Sequence, residues 1–122
     1  MATLADSLNT AMGAHRVWKT RLLSAIATGA CDVDRTTARR DDACAFGKWL
    51  LSSNETGPRR DRVAELHRRF HLAAARVLDV ALAGKKPEAL KMLDDAGEYA
   101  GISSALTREM TEWEHEADQC RR

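Results

Sequence analysis

Apolar side chains at Leu4, Leu8, Ala11, Trp18, Leu22 and Ala25 recur in alternating steps of four and three, with polar residues filling most positions between them. That spacing lines one face of an α-helix packed against other helices. Gly29, just past the pattern, predicts its stop. One residue on the seam is foreign to it: His15 stands where an apolar side chain belongs. A buried imidazole must find partners for its nitrogens or destabilise the fold. Two readings follow, a core histidine hydrogen-bonded to a neighbour and a metal ligand directed into a helix bundle.

The segment 31–40 is polar and aperiodic, and it reads as an irregular connection with room for one helical turn. Asp41 and Asp42 then offer an N-cap for a short helix through Leu51. This places Cys44 in the first helical turn, where free N–H groups and the helix dipole favour a thiolate. The bland reading of Cys44 is a small buried hydrophobe. Gly47, costly inside a helix, suggests a close approach by another helix or by a metal site. Asn54, Thr56, Gly57 and Pro58 form a turn, and a long helix is predicted over 61–83. Its main stripe is Val63, Leu66, Phe70, Ala73, Val77 and Ala81, and His67, His71, Ala74 and Leu78 run along the adjacent flank. Histidines four apart lie one above the other on a helix and can grip one ion. Gly84 ends this helix and Pro87 starts the last. Met92, Ala96, Tyr99, Ser103, Leu106, Met110, Trp113 and Ala117 continue at heptad spacing, predicting one helix from Pro87 toward the C-terminus, on the order of 50 Å long. That exceeds what 61–83 can cover, so its end must fray, fold back or pack on a second copy, of which the last is the expectation.

With 122 residues, 44% of them hydrophobic and two of them proline, the chain is expected to fold as one all-α domain over 1–122. The 19 basic and 18 acidic residues interleave, which leaves no basic stripe for nucleic acid. The most apolar run, 72–83, is too short to span a bilayer and contains Arg76 and Asp79. The N-terminus lacks the basic start and apolar core of a secretory signal, so a cytoplasmic location is expected. There, the three cysteines are expected as thiols or metal ligands. Cys31 and Cys120 are each readable as an unremarkable thiol or as a resolving partner for Cys44. His115 has no partner at ligand spacing and reads as a surface residue.

Three segments thus place metal-capable side chains on inner helix faces: His15, Cys44, and the pair His67 and His71. Three imidazoles and a thiolate are a donor set for a closed tetrahedral zinc site, Zn2+ being favoured over the oxygen-seeking magnesium and calcium. A closed set leaves no position for catalytic water, and no carboxylate stands paired with a base; Glu65 and Asp79 read as surface charges. The chain is therefore not expected to be an enzyme. Asp41 and Asp42 read as caps with a second role as hydrogen-bond partners to a ligating histidine.

The runs Ala14-His15-Arg16-Val17-Trp18-Lys19-Thr20-Arg21-Leu22, Cys44-Ala45-Phe46-Gly47-Lys48-Trp49-Leu50 and His67-Arg68-Arg69-Phe70-His71-Leu72-Ala73-Ala74 resemble the three signature blocks of the bacterial chemoreceptor zinc-binding (CZB) domain family. The resemblance implies a four-helix bundle, with an additional short helix carrying the cysteine. It also implies a homodimer in the cytoplasm, zinc held by His15, Cys44, His67 and His71, and a response to zinc or to hypochlorous acid at the bound cysteine. Such domains usually accompany a chemoreceptor or cyclase module. No such module is encoded here, so a signalling partner is expected outside these residues, whether the domain is free-standing or excised. A zinc buffer and a purely structural, zinc-stabilised dimerisation unit are the alternatives.

Overall fold

The computed structural model describes residues 4–31, 35–40, 42, 44–53, 55–94 and 97–120, without the side chains of 5, 35, 36 and 117–120. Among these described residues six helices follow in order: α1 Leu4–Thr28, α2 Arg35–Arg39, α3 Ala45–Ser52, α4 Pro58–Leu82, α5 Lys86–Met92 and α6 Glu98–Cys120. The described residues include no strand. The expected all-α helical bundle is what is found: α1, α4 and α6 each pack on the other two, α5 packs on α4 and α1, α2 on α4, and α3 on α1 and α4.

On α1 the predicted seam is the buried face. Leu8, Ala11, His15, Trp18, Leu22 and Ala25 are all buried, and Ile26 joins them. The helix ends as expected at Gly29, whose φ of 75° lies in the left-handed region open to glycine. α4 begins earlier than predicted, with Pro58 in the first turn after Gly57. Its buried face is wide. Val63, Phe70, Ala73, Val77 and Ala81 lie inside as expected, Leu66 is partly buried, and the flank of His67, His71, Ala74 and Leu78 is fully inside. α4 is held between α1 and α6, with α2 and α3 also against it, so two adjacent stripes are covered.

The predicted single last helix is instead two, α5 and α6. Leu93 and Asp94 donate to carbonyls three residues back, at Leu90 and Lys91, tightening the turn, and Gly97 donates to the Asp94 carbonyl at 2.8 Å. A Cβ at Gly97 would stand 2.8 Å from the Met92 carbonyl oxygen, so this turn closes only around a residue with no side chain. Aspartate and glycine supply the break. The length argument for a second copy falls with it, because α6 at 23 residues matches α4 at 25. Trp113, expected on the same overhanging end, is buried within the chain against Trp49, ring centres 6.0 Å apart. The expected positions Ala96 and Asp41 lie outside the described residues, as do the side chains of Ala117 and Cys120.

Charged side chains fasten α4 to α6 at two places. Arg59 gathers Glu109, Glu112 and Glu116, the last two at 2.9 and 2.6 Å, and Arg76 pairs with Glu98. No described helix is long and apolar enough to cross a membrane.

Candidate metal centre

His15 reaches the centre from the middle of α1, His67 and His71 from the middle of α4, and Cys44 from the start of α3. One ligand-capable atom from each lies within 4.8 Å of the others, the one such cluster of histidine, cysteine and carboxylate groups among the described residues. Cys31, partly buried, and His115, exposed, stand outside it.

Cys44 differs in one respect from expectation. It is not inside the first turn but is itself the N-cap, in extended conformation with φ −86° and ψ 160°. Its sulfur accepts the Gly47 N–H at 3.3 Å, the bond a serine or aspartate oxygen makes at such a position. An N–H aimed at sulfur stabilises the thiolate. Asp42 is occupied elsewhere, pairing with Arg40 at 3.0 Å. Neither predicted surface charge joins the centre: Glu65 takes Arg68 and Arg69, and Asp79 pairs with Arg39.

The tautomer of His71 follows from its surroundings. Its Nδ1 lies 3.1 Å from the Ala38 carbonyl oxygen, which can only accept, so Nδ1 carries a proton and, in the neutral ring, Nε2 presents the bare lone pair. That lone pair faces His67 Nε2 at 3.1 Å, and His67 Nε2 in turn lies 3.2 Å from Cys44 Sγ. The expected carboxylate partner for a ligating histidine is thus replaced by a backbone carbonyl of α2, which performs the same orienting task. His15 is buried with Nδ1 lacking any hydrogen-bond partner among the described residues. An orphaned nitrogen in an apolar setting is costly unless something else satisfies it.

Aromatic rings close the surroundings. Phe46 stands edge-on to His67 at 5.1 Å, Phe70 lies 4.6 Å from His15, and Trp18 meets His71 edge-on at 6.1 Å. Burial, reinforced by His71, lowers the pKa of His15 from 6.5 to about 4. Burial, with His71 and His15 behind it, lowers that of His67 to about 2. Both imidazoles are therefore neutral at pH 7, the state that ligates metal.

The donor set fits zinc: one soft sulfur, three imidazoles and an orphaned buried nitrogen. The edges of a zinc tetrahedron with such ligands are roughly 3.3–3.6 Å, close to the separations of His67 from His71 and from Cys44. Sequence reasoning singled out all four side chains that cluster here but not the Ala38 carbonyl or the Gly47 N–H, because backbone groups carry no sequence signature. A small residue at position 38, packed at 1% exposure against α4, is the nearest thing to one.

A helical bundle with a buried three-histidine, one-cysteine cluster defines the class: a helical domain equipped to bind a transition metal. The chemoreceptor zinc-binding domain family matches residues 15–78, just over half of the chain and a span containing all four cluster residues. The chain belongs to that family. Comparison with curated proteins gives no significant match, and comparison with solved structures gives none.

Proposed function

We propose that the chain is a regulatory zinc-binding module in which His15, Cys44, His67 and His71 hold one Zn2+. The observation that supports this most is the convergence of four donor atoms within 4.8 Å, with the lone pair of His71 fixed toward the others by the Ala38 carbonyl. Bound there, the ion would cross-link α1, α3 and α4 as a closed, non-catalytic centre. With no open position for water, the chain acts as a binding domain and not as an enzyme.

Cys44 is the leg suited to regulation. It is partly buried, whereas the three histidines are 7%, 1% and 2% exposed, and it sits on an eight-residue helix while they sit on long ones. Thiolate attack on hypochlorous acid gives sulfenic acid and chloride, with two electrons passing from sulfur to chlorine. A sulfenic Cys44 is a poorer ligand, so α3 loses its tie to α4 and its packing changes. The module works in the cytoplasm and passes this change to a chemoreceptor or cyclase partner. It does so as a homodimer, a reading that rests on the resemblance of its sequence blocks to the family and on the exposed apolar side chains Val17, Leu51 and Leu90. Light scattering at micromolar concentration should give twice the chain mass; a strict monomer would remove the dimer from this account.

Metal analysis of purified protein tests the site. One zinc per chain is expected, with Cys44→Ala and His71→Ala each losing it; full retention by both variants refutes the assignment. Chelator competition before and after stoichiometric hypochlorous acid then tests the regulation. Oxidation-driven release marks a sensor, and very tight zinc indifferent to oxidant marks a structural or storage site instead.

A further inference from the structure

Two cavities of different character open onto Cys44. One, of about 210 Å³, lies between α1 and α3, walled by Ala11, Trp18, Phe46 and Trp49, with Asp6 among its lining residues. The other, of about 310 Å³, lies between α1 and the residues that follow α2. Trp18, Arg21, Thr37, Arg40, Cys44 and His71 line it, so two of the four cluster residues face this one cleft. Its volume is at the lower end of small-molecule pockets.

The charges in this cleft are unequal in their commitments. The Arg40 guanidinium is neutralised by Asp42, with contacts of 3.0 and 3.3 Å. Arg21 lies over the Trp18 ring, 5.5 Å from its centre, and meets no carboxylate among the described residues. Stacking on the indole holds the guanidinium near the cleft while leaving its N–H edge free to bind an anion. Among the described residues lining it, the cleft therefore carries net positive charge beside the most accessible of the four donors.

We infer that this cleft is an exchange port: a small carboxylate-bearing chelator docks on Arg21 and displaces Cys44 from the metal. The inference rests on the zinc reading above and assigns it a route. In the exchange a carboxylate oxygen forms a bond to the ion as the Cys44 sulfur–metal bond breaks. The electron pair of that bond stays on sulfur, which takes a proton from solvent, and nothing is oxidised. Cys44 leaves first because it is only partly buried and faces both cavities, whereas each histidine is at most 7% exposed and faces no more than one of the two.

Two measurements on the full chain test this, each with wild type, Arg21→Gln, Arg21→Glu and the control Arg16→Glu, an exposed α1 position outside the cleft. The first follows zinc release to an anionic aminopolycarboxylate chelator and to a neutral pyridyl-amine chelator. The second uses metal-free protein with Cys31 and Cys120 replaced by serine. It follows Cys44 modification by dianionic dithiobis-nitrobenzoate and by neutral dithiodipyridine. Losing Arg21 should slow the anionic reagents roughly three- to tenfold at low ionic strength, more for Glu than for Gln, and the difference should fade in high salt. Neutral reagents and the Arg16 control should be unchanged. Equal effects on anionic and neutral reagents, or none on either, overturn the port. Because the thiol measurement needs no zinc, it decides whether Arg21 guides anions to Cys44 separately from the metal analysis, so failure of the port and failure of the metal site are distinguishable.

Discussion

His15 and His67 are histidines that the folded protein keeps uncharged. In the unfolded chain both bind protons below about 6.5, whereas in the folded chain burial delays this to about 4 for His15 and about 2 for His67. Between those values the unfolded state holds more protons, so stability falls as pH falls. The slope is on the order of 1.4 kcal/mol per pH unit for each histidine once fully inside its window. The contribution of His15 levels off below about pH 4, and that of His67 continues downward. Metal-free protein should therefore unfold at progressively lower urea concentration from pH 6.5 to 4. A flat midpoint across that range would contradict the burial of these two side chains. At this scale the sequence was informative: each donor stood out as a foreign residue on a helical stripe or at a helix start. What it withheld were the neighbours that orient those donors, the Ala38 carbonyl and the Gly47 amide, since any residue could have supplied them.

Among the elements, the seam of α1 was fully legible because a repeating apolar face has one stable arrangement, turned inward. The break between α5 and α6 was not. Met92 and Tyr99 are seven apart, so the heptad register runs across the turn unbroken and hides it. Only Asp94, Asp95 and Gly97 mark the place, and periodicity outvoted them. The turn makes a test possible with two glycines of opposite kind. Gly97→Ala places a Cβ 2.8 Å from a backbone oxygen and should cost on the order of 1–3 kcal/mol. Gly13→Ala, on the exposed side of α1 with open space around it, should stabilise by about 0.5–1 kcal/mol. Thermal melts of both variants check the pair; a neutral Gly97→Ala would mean that α5 and α6 are not separated as described.

Over the whole molecule, the parts that depend on the centre are distinct from those that do not. α1, α4 and α6 share a core of large apolar side chains, including Leu8, Leu22, Phe70, Leu106 and Met110, and α4 is further tied to α6 by Arg59 and Arg76. α2 and α3 are short, and each meets the centre directly, through Ala38 and Cys44. Chelation should therefore leave helix content nearly intact while amide exchange rises in α2 and α3 and stays low in the middle of α4. Uniform acceleration across all helices would show that the bundle has no stability of its own without metal.

The Cys44 sulfur performs two tasks, capping α3 through the Gly47 amide and lying among the donors. A serine hydroxyl can perform the first but, un-ionised at neutral pH, not the second. Cys44→Ser should thus fold with α3 intact and hold zinc far more weakly, measurable as preserved circular dichroism with lost metal. For a lineage carrying this fold, the change is a one-atom substitution that abandons the metal without abandoning the architecture. The descent of metal binding and the descent of the bundle can part company at position 44 in a single step.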